Sequence, residues 1–236
     1  MEEVQIVFLY LKKLRPLHEG LTIFLCPKWA WEVSMIAIID YGVGNLASVN
    51  KALSFIGFDS KITSDYSEIL AADKVVLPGV GAFADAMNSL EKINMIPVIN
   101  EVAKKGTPLL GICLGMQLLF DYSTEGGEMV RGLGMLKGSV TQFPLDMGLK
   151  VPHMGWNSLD IKQNNGIFKG IKEKSYVYFV HSYCLAAQNE SDVAATCHYG
   201  IKFDAAVSKG NIMGTQFHPE KSGDIGLNIL RNFASM

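Results

Sequence analysis

The stretch Pro108-Leu109-Leu110-Gly111-Ile112-Cys113-Leu114-Gly115-Met116-Gln117-Leu118-Leu119-Phe120 changes character at one residue. Residues 108–112 form a short apolar run with strand character. Residues 114–120 have a helical look. Cys113 therefore sits where a strand turns sharply into a helix, with Gly111 and Gly115 two positions to either side. Small flanking residues permit that tight turn, which exposes a nucleophile at the edge of an α/β sheet. The first helical turn favours a thiolate and offers free N–H groups to an oxyanion. A structural cysteine in a glycine-flanked turn fits the same residues. Cys113 needs a base from elsewhere before it becomes a nucleophile.

Upstream, strand and helix signals alternate. Residues 35–39 are a continuous apolar run ending at Asp40. Such a run suits a strand buried on both faces. A loop over 41–45 leads to Leu46, Val49, Leu53 and Ile56 at helical spacing, closed by Gly57. Further strands are expected over 58–62 and 74–77. A short helix N-capped by Asp65 separates them, and helices follow over 82–92 and 96–105. This alternation predicts an open, doubly wound, mostly parallel α/β sheet. After Tyr122 the signals become strand-like, over 138–143, 158–161, 176–183, 193–199, 203–208 and 211–217, which predicts an antiparallel extension. Ser222 is expected to cap a last helix with Ile225, Ile229, Leu230 and Phe233 inward.

A chain of 236 residues with 49% apolar side chains can bury one sizeable core. Its net charge of −2, without a basic stripe, argues against nucleic acid and anionic membranes as partners. No uninterrupted apolar stretch reaches the roughly 18 residues of a membrane span. Cys26, Cys113, Cys184 and Cys197 form no Cys-x-x-Cys pair. Reduced thiols in a cytoplasm are the simplest reading. No His/Cys/Asp cluster has zinc-ligand spacing, so neither metal nor cofactor is expected.

Residues 1–34 stand apart. Two apolar bursts are split by Lys12-Lys13-Leu14-Arg15-Pro16, and the opening Met1-Glu2-Glu3 lacks the basic start of a secretory signal. The segment reads as an extension packing on the domain, as an interaction arm, or as translated upstream sequence. The last is favoured, because Met35 begins a clean strand. The domain is expected to be 35–236.

Ligands of open α/β sheets sit at the carboxyl ends of the strands. Asp40 to Asn45, Pro78-Gly79-Val80-Gly81, Cys113 and Gln216-Phe217-His218-Pro219-Glu220 all fall there. Acyl transfer needs a thiolate, an imidazole to shuttle its proton and an acid to fix the tautomer. Cys113, His218 and Glu220 supply that set. Gly79 and Gly81 allow backbone N–H groups to approach an oxyanion opposite the Leu114 N–H. Local pattern leaves other readings open: His218 as a satisfied turn histidine, Glu220 as a solvated carboxylate, and His153, His181 or His198 as the base. Cys184 and Cys197 read as core or edge residues.

Pro78-Gly79-Val80-Gly81, Gly111-Ile112-Cys113-Leu114-Gly115-Met116-Gln117 and Gln216-Phe217-His218-Pro219-Glu220-Lys221-Ser222 closely resemble class I glutamine amidotransferases. Pro152-His153-Met154-Gly155-Trp156-Asn157 and Tyr178-Phe179-Val180-His181-Ser182-Tyr183 resemble their branch of glutaminase subunits of imidazole glycerol phosphate synthases, in histidine biosynthesis. The resemblance covers 35–236 and implies a class I glutamine amidotransferase-like fold. It implies that Cys113 attacks L-glutamine, with His218 and Glu220 completing a triad. It further implies that Val80, Gly81 and Leu114 form the oxyanion hole and that Gln117, Ser182 and Tyr183 hold the substrate. It implies a heterodimer with a (β/α)₈-barrel cyclase subunit that receives the ammonia. That barrel needs about 250 residues, so it is a separate chain. Asn45, Lys150, Pro152, Met154, Trp156, Asn157 and Tyr178 match the interface, although by pattern alone Trp156 reads equally as core. Competing readings are a paralogue feeding a surface-sugar amidination pathway, a cysteine peptidase or redox-responsive chaperone of similar shape, and an inactive binding subunit.

Overall fold

In a computed structural model, which describes residues 34–236, strands and helices alternate through the first half of the chain. They are β1 (Ile36–Ile39), α1 (Leu46–Phe55), β2 (Ser60–Thr63), α2 (Tyr66–Ala71), β3 (Lys74–Gly79), α3 (Phe83–Lys92), α4 (Ile96–Lys104), β4 (Leu109–Cys113) and α5 (Leu114–Leu118). The second half is mostly strands: β5 (Phe120–Ser123), β6 (Val130–Arg131), β7 (Leu136–Gln142), β8 (His153–Ser158), β9 (Asp160–Ile161), β10 (Tyr176–His181), β11 (Tyr183–Ala187), β12 (Val193–Tyr199), β13 (Ile201–Lys209) and β14 (Ile212–Thr215). Helix α6 (Gly223–Ala234) closes the chain. Residues 1–33, and with them most of the expected N-terminal extension, lie outside the described residues.

The main sheet runs β2-β1-β3-β4-β14-β13-β11-β7-β5-β6, with β12 and β9 attached beyond β13. Strands β2, β1, β3, β4 and β14 are mutually parallel, and β13 opens the antiparallel extension. The continuous apolar runs of the first strands follow from burial on both faces. Ile36 and Ile38 face the core that includes Leu53, Leu230 and Phe233, while Ala37 and Ile39 face the core of Ile69, Phe83 and Leu90. Asp65 caps α2 as its side chain and position predict, accepting from the Ser67 and Glu68 N–H groups. Ile229, Leu230 and Phe233 of α6 are buried.

Four expectations are corrected. The helix after Cys113 ends at Leu118, and Phe120 begins a strand. The carbonyls of Leu118, Leu119 and Phe120 accept instead from Leu133, Met135 and Gly134, so tertiary pairing displaces further helical turns. The strand expected over 176–183 breaks at Ser182. Among the described residues its first part pairs only with β8, in a separate antiparallel ribbon, while β11 joins the main sheet. Strand β8 begins at His153, ahead of the expected 158–161, because the ribbon inverts the usual pattern. It buries His153 and leaves Met154 and Trp156 exposed. Ser222 makes no side-chain cap on α6. Its hydroxyl donates to the His218 carbonyl (2.6 Å) and accepts from the Tyr178 N–H (2.9 Å).

Candidate active site

Cys113 ends β4 with φ 56° and ψ −112°, a left-handed conformation costly for a residue with a side chain. The turn closes because its neighbours lack side chains. A Cβ on Gly115 would stand 1.8 Å from the Leu77 carbonyl oxygen of β3. One on Gly111 would stand 2.7 Å from the Gly115 carbonyl oxygen. Cys113 is 6% exposed and lines a cavity of about 390 Å³.

Sheet order brings the partners to Cys113. Strand β14 lies beside β4 with Thr215 opposite Ile112, and the chain then continues through Gln216 and Phe217 to His218. His218 Nδ1 lies 2.8 Å from Glu220 Oε1, and the two side chains are only 2% and 1% exposed. The His218 N–H donates to the Tyr178 carbonyl (3.0 Å), which ties this loop to the ribbon. Burial alone would lower the His218 pKa. The Cys113 and Glu220 groups beside it outweigh burial and hold the imidazolium up to about 9. Nε2, the ring nitrogen that Glu220 does not hold, is buried and has no protein hydrogen-bond partner among the described residues.

On the other flank, β3 places Gly79 opposite Cys113, and Val80 and Gly81 enter the cavity wall beside Leu114. Gly81 has φ +98°, a conformation open to glycine without strain. In the sequence Tyr41 reads as one residue of a loop. It is buried, and its hydroxyl donates to the Pro78 carbonyl (2.8 Å) just ahead of the glycine loop. Burial, and then the nearby Cys113 charge, raise its pKa, so the phenol stays protonated.

Gln117, Ser182 and Tyr183 also line the cavity. So do Glu125 and Lys221, which the sequence reading did not single out. The only sequence signal for Glu125 was an acid in a polar loop shortly after the Cys113 motif. Its carboxylate accepts from the Phe83 N–H (2.6 Å) at the start of α3. The alternative bases fare differently from His218. His181 reaches the cavity, but burial depresses its pKa to about 3, and that of His153 to about 4. His198 is exposed and is not part of the cavity wall. Burial pushes the Cys197 thiol up to about 12 and also raises that of Cys184; neither lines the cavity.

The residues matched to an interface fall into two groups. Trp156 and Tyr178 are register partners on the ribbon, with ring centroids 6.1 Å apart, and Met154 shares their face. Trp156 is 55% exposed, so it is not core. Lys150 and Pro152 are exposed and Asn45 is half-buried. Asn157 alternates to the opposite face, where its Nδ2 donates to the His198 carbonyl (3.0 Å). Among the described residues no group of three or more His, Cys, Asp or Glu is arranged to hold a metal ion. No described helix is long and apolar enough to cross a membrane.

Geometry of this kind is that of cysteine hydrolases carried on a doubly wound sheet. The family model for glutamine amidotransferase class-I matches residues 37–236. A relative from Moorella thermoacetica, the imidazole glycerol phosphate synthase subunit HisH, is 51% identical over 85% of this chain and 94% of its own. The protein of that name from Methanosarcina acetivorans is 54% identical over 85% and 98%. Among solved structures, PurLQS from Thermotoga maritima superposes with a TM-score of 0.67 at 20% identity, over 85% of this chain and 97% of that one. That likeness speaks for the fold alone. The chain belongs to the class-I glutamine amidotransferase family, in the branch whose members are named HisH.

Proposed function

We propose that this chain is the glutaminase subunit of an imidazole glycerol phosphate synthase, hydrolysing L-glutamine and passing the ammonia to a separate (β/α)₈-barrel cyclase subunit. The observation that carries the chemistry is the buried His218–Glu220 pair, with His218 and Cys113 lining one cavity and His218 Nε2 unpartnered among the described residues. The Cys113 thiolate attacks the side-chain amide carbon. The oxyanion is held by the Leu114 N–H and an N–H of the Val80–Gly81 segment. His218 gives its proton to the departing ammonia, then takes one from water as that water cleaves the thioester to glutamate. Glu220 keeps the imidazole in the right tautomer. Gln117 and Glu125 suit the substrate's α-ammonium, and Ser182 and Tyr183 frame the rest of the substrate.

Free ammonia in water is protonated and lost as a nucleophile, so transfer demands a dry route to the acceptor. The exposed Met154 and Trp156, with the half-buried Tyr178, form an apolar face on the ribbon that also contributes Val180 and His181 to the cavity wall. Aromatic and Met side chains in such a cluster suit a partner interface. The partner relationship is that of a subunit within a synthase, and the workplace is a cytoplasm. The surface-sugar reading is not favoured, since the relatives carry the synthase name. Co-purification with the barrel subunit followed by a cyclase assay tests the proposal. Cys113→Ala should abolish glutamine-dependent synthesis and spare synthesis from added ammonia. Loss of both would overturn the channelling scheme.

A further inference from the structure

We propose that Gln216 and His181 are positioning residues that clamp the Gln117 side-chain amide in one orientation, with its Oε1 presented to the cavity. The inference rests on the reading of Gln117 as a substrate contact and adds how that contact is oriented.

An amide nitrogen carries two hydrogens, and both of those on Gln117 are committed inward. Nε2 donates to the Tyr183 carbonyl at 3.3 Å and to Gln216 Oε1 at 2.9 Å. A carbonyl only accepts. A flipped Gln117 would set its own oxygen against the Tyr183 oxygen. What remains for the cavity is Oε1, an acceptor, which suits the α-ammonium of an amino-acid substrate and rejects an acceptor in its place.

Each side of the clamp is itself fixed. Gln216 is fully buried, and with Oε1 committed to Gln117 its Nε2 reaches Cys113 Sγ at 3.8 Å. One side chain thus links the substrate-holding amide to the nucleophile. On the other side, the Tyr183 carbonyl also accepts from His181 Nδ1 at 2.8 Å, so the His181 proton sits on Nδ1. A neutral ring then has a bare Nε2, and His153 Nδ1 lies 3.0 Å from it. His153 must donate there, which leaves its Nε2 as an acceptor facing Asn157 Nδ2 at 3.4 Å. The donors of His153 and His181 thus run the same way, toward Tyr183, while Asn157 Nδ2 also donates to the His198 carbonyl. Burial favours the neutral form of both rings, as this single arrangement requires.

The test compares KM for L-glutamine with alkylation of Cys113 by iodoacetamide, a reagent without an α-ammonium, in the complex with the cyclase subunit. His181→Leu removes the donor to Tyr183, while His181→Asn places an amide N–H near the former Nδ1. Gln216→Leu removes both links, while Gln216→Glu keeps an acceptor for Gln117. Loss of one hydrogen bond to a charged group predicts a rise in KM of about tenfold in each Leu variant. In that case kcat falls far less, and KM recovers to within about threefold in the Asn and Glu variants. His181→Leu should change the alkylation rate far less than it changes KM. An unaltered KM in the Leu variants overturns the proposal. So does a rise in KM matched by equal losses of kcat and alkylation that the Asn and Glu variants do not rescue. A parent complex that alkylates normally but hydrolyses no glutamine overturns the functional reading itself.

Discussion

Gly115 lies so close to strand β3 that a Cβ on it would stand 1.8 Å from the Leu77 carbonyl oxygen. The obstacle is backbone on both sides, so no side chain can move away. Gly115→Ala should therefore open the turn that exposes Cys113. Its cost should reach or exceed the upper end of the about 1–3 kcal/mol typical of overpacking. Urea unfolding and the glutaminase rate check this together; a variant of parental stability and rate would show that the close approach is not needed.

Glu220→Gln keeps a hydrogen-bonding oxygen for His218 Nδ1 and removes the charge. The His218 pKa, held at about 9 despite burial, should fall toward the ordinary histidine range. A pKa raised in the folded state gives stability that is complete below the unfolded value and disappears as pH rises through the folded one. The parent should thus lose stability between about pH 6.5 and 9, and the variant should show a flatter profile there. Its kcat/KM for glutamine should drop by about 10²–10⁴-fold. Urea midpoints from pH 6 to 10 and steady-state kinetics provide the two measurements.

His153 and His181 act in the opposite sense. Burial lowers their pKa values to about 4 and about 3, so the unfolded chain binds their protons first as pH falls. The stability they contribute is complete above about pH 6.5 and is lost toward about pH 3–4. His153→Gln should lower stability at neutral pH and flatten the acid slope. An acid slope as steep as the parent's would show that His153 is not a source of it.

Trp156 stands more than half exposed beside Tyr178. Trp156→Ala should change the stability of the isolated chain by no more than about 0.5 kcal/mol. As a central interface aromatic it should weaken binding of the cyclase subunit by about 2 kcal/mol, near thirtyfold. Calorimetric titration against the partner separates the two effects; equal affinity for both variants would remove Trp156 from the interface.

A chain beginning at Met35 is expected to fold and to hydrolyse glutamine as the 236-residue chain does. The family match covers 37–236, and the backbone of Met35 is already tied to Asp73 by two hydrogen bonds. Thermal unfolding and the basal glutaminase rate of the two chains provide the comparison. An insoluble shorter chain would show that residues 1–34 take part in folding.

The first half of the fold was legible because its signals are local. The runs 35–39 and 108–112 needed only their apolar character, and Asp65 needed only its side chain and position. The ribbon was illegible for a physical reason. On β8 the buried face carries His153 and the exposed face Met154 and Trp156, so hydropathy there alternates with the wrong sign. The strand at Phe120 was hidden because an apolar run of that length serves a helix or a strand equally. Hydrogen bonds from Leu133, Gly134 and Met135 decide between them.

Cys113, the glycines around it, and the His218-Pro219-Glu220 segment could be read as chemistry from sequence alone. Backbone sterics and short spacings determine what such groups are able to do. Only the tertiary structure decided that Tyr41 holds the Pro78 carbonyl, that Glu125 reaches the cavity, and that Gln216 joins Gln117 to Cys113. Gln117 and Gln216 lie 99 residues apart and meet because β14 inserts beside β4. Strand order is a global outcome of burying two apolar faces at once, and no local pattern of residues contains it.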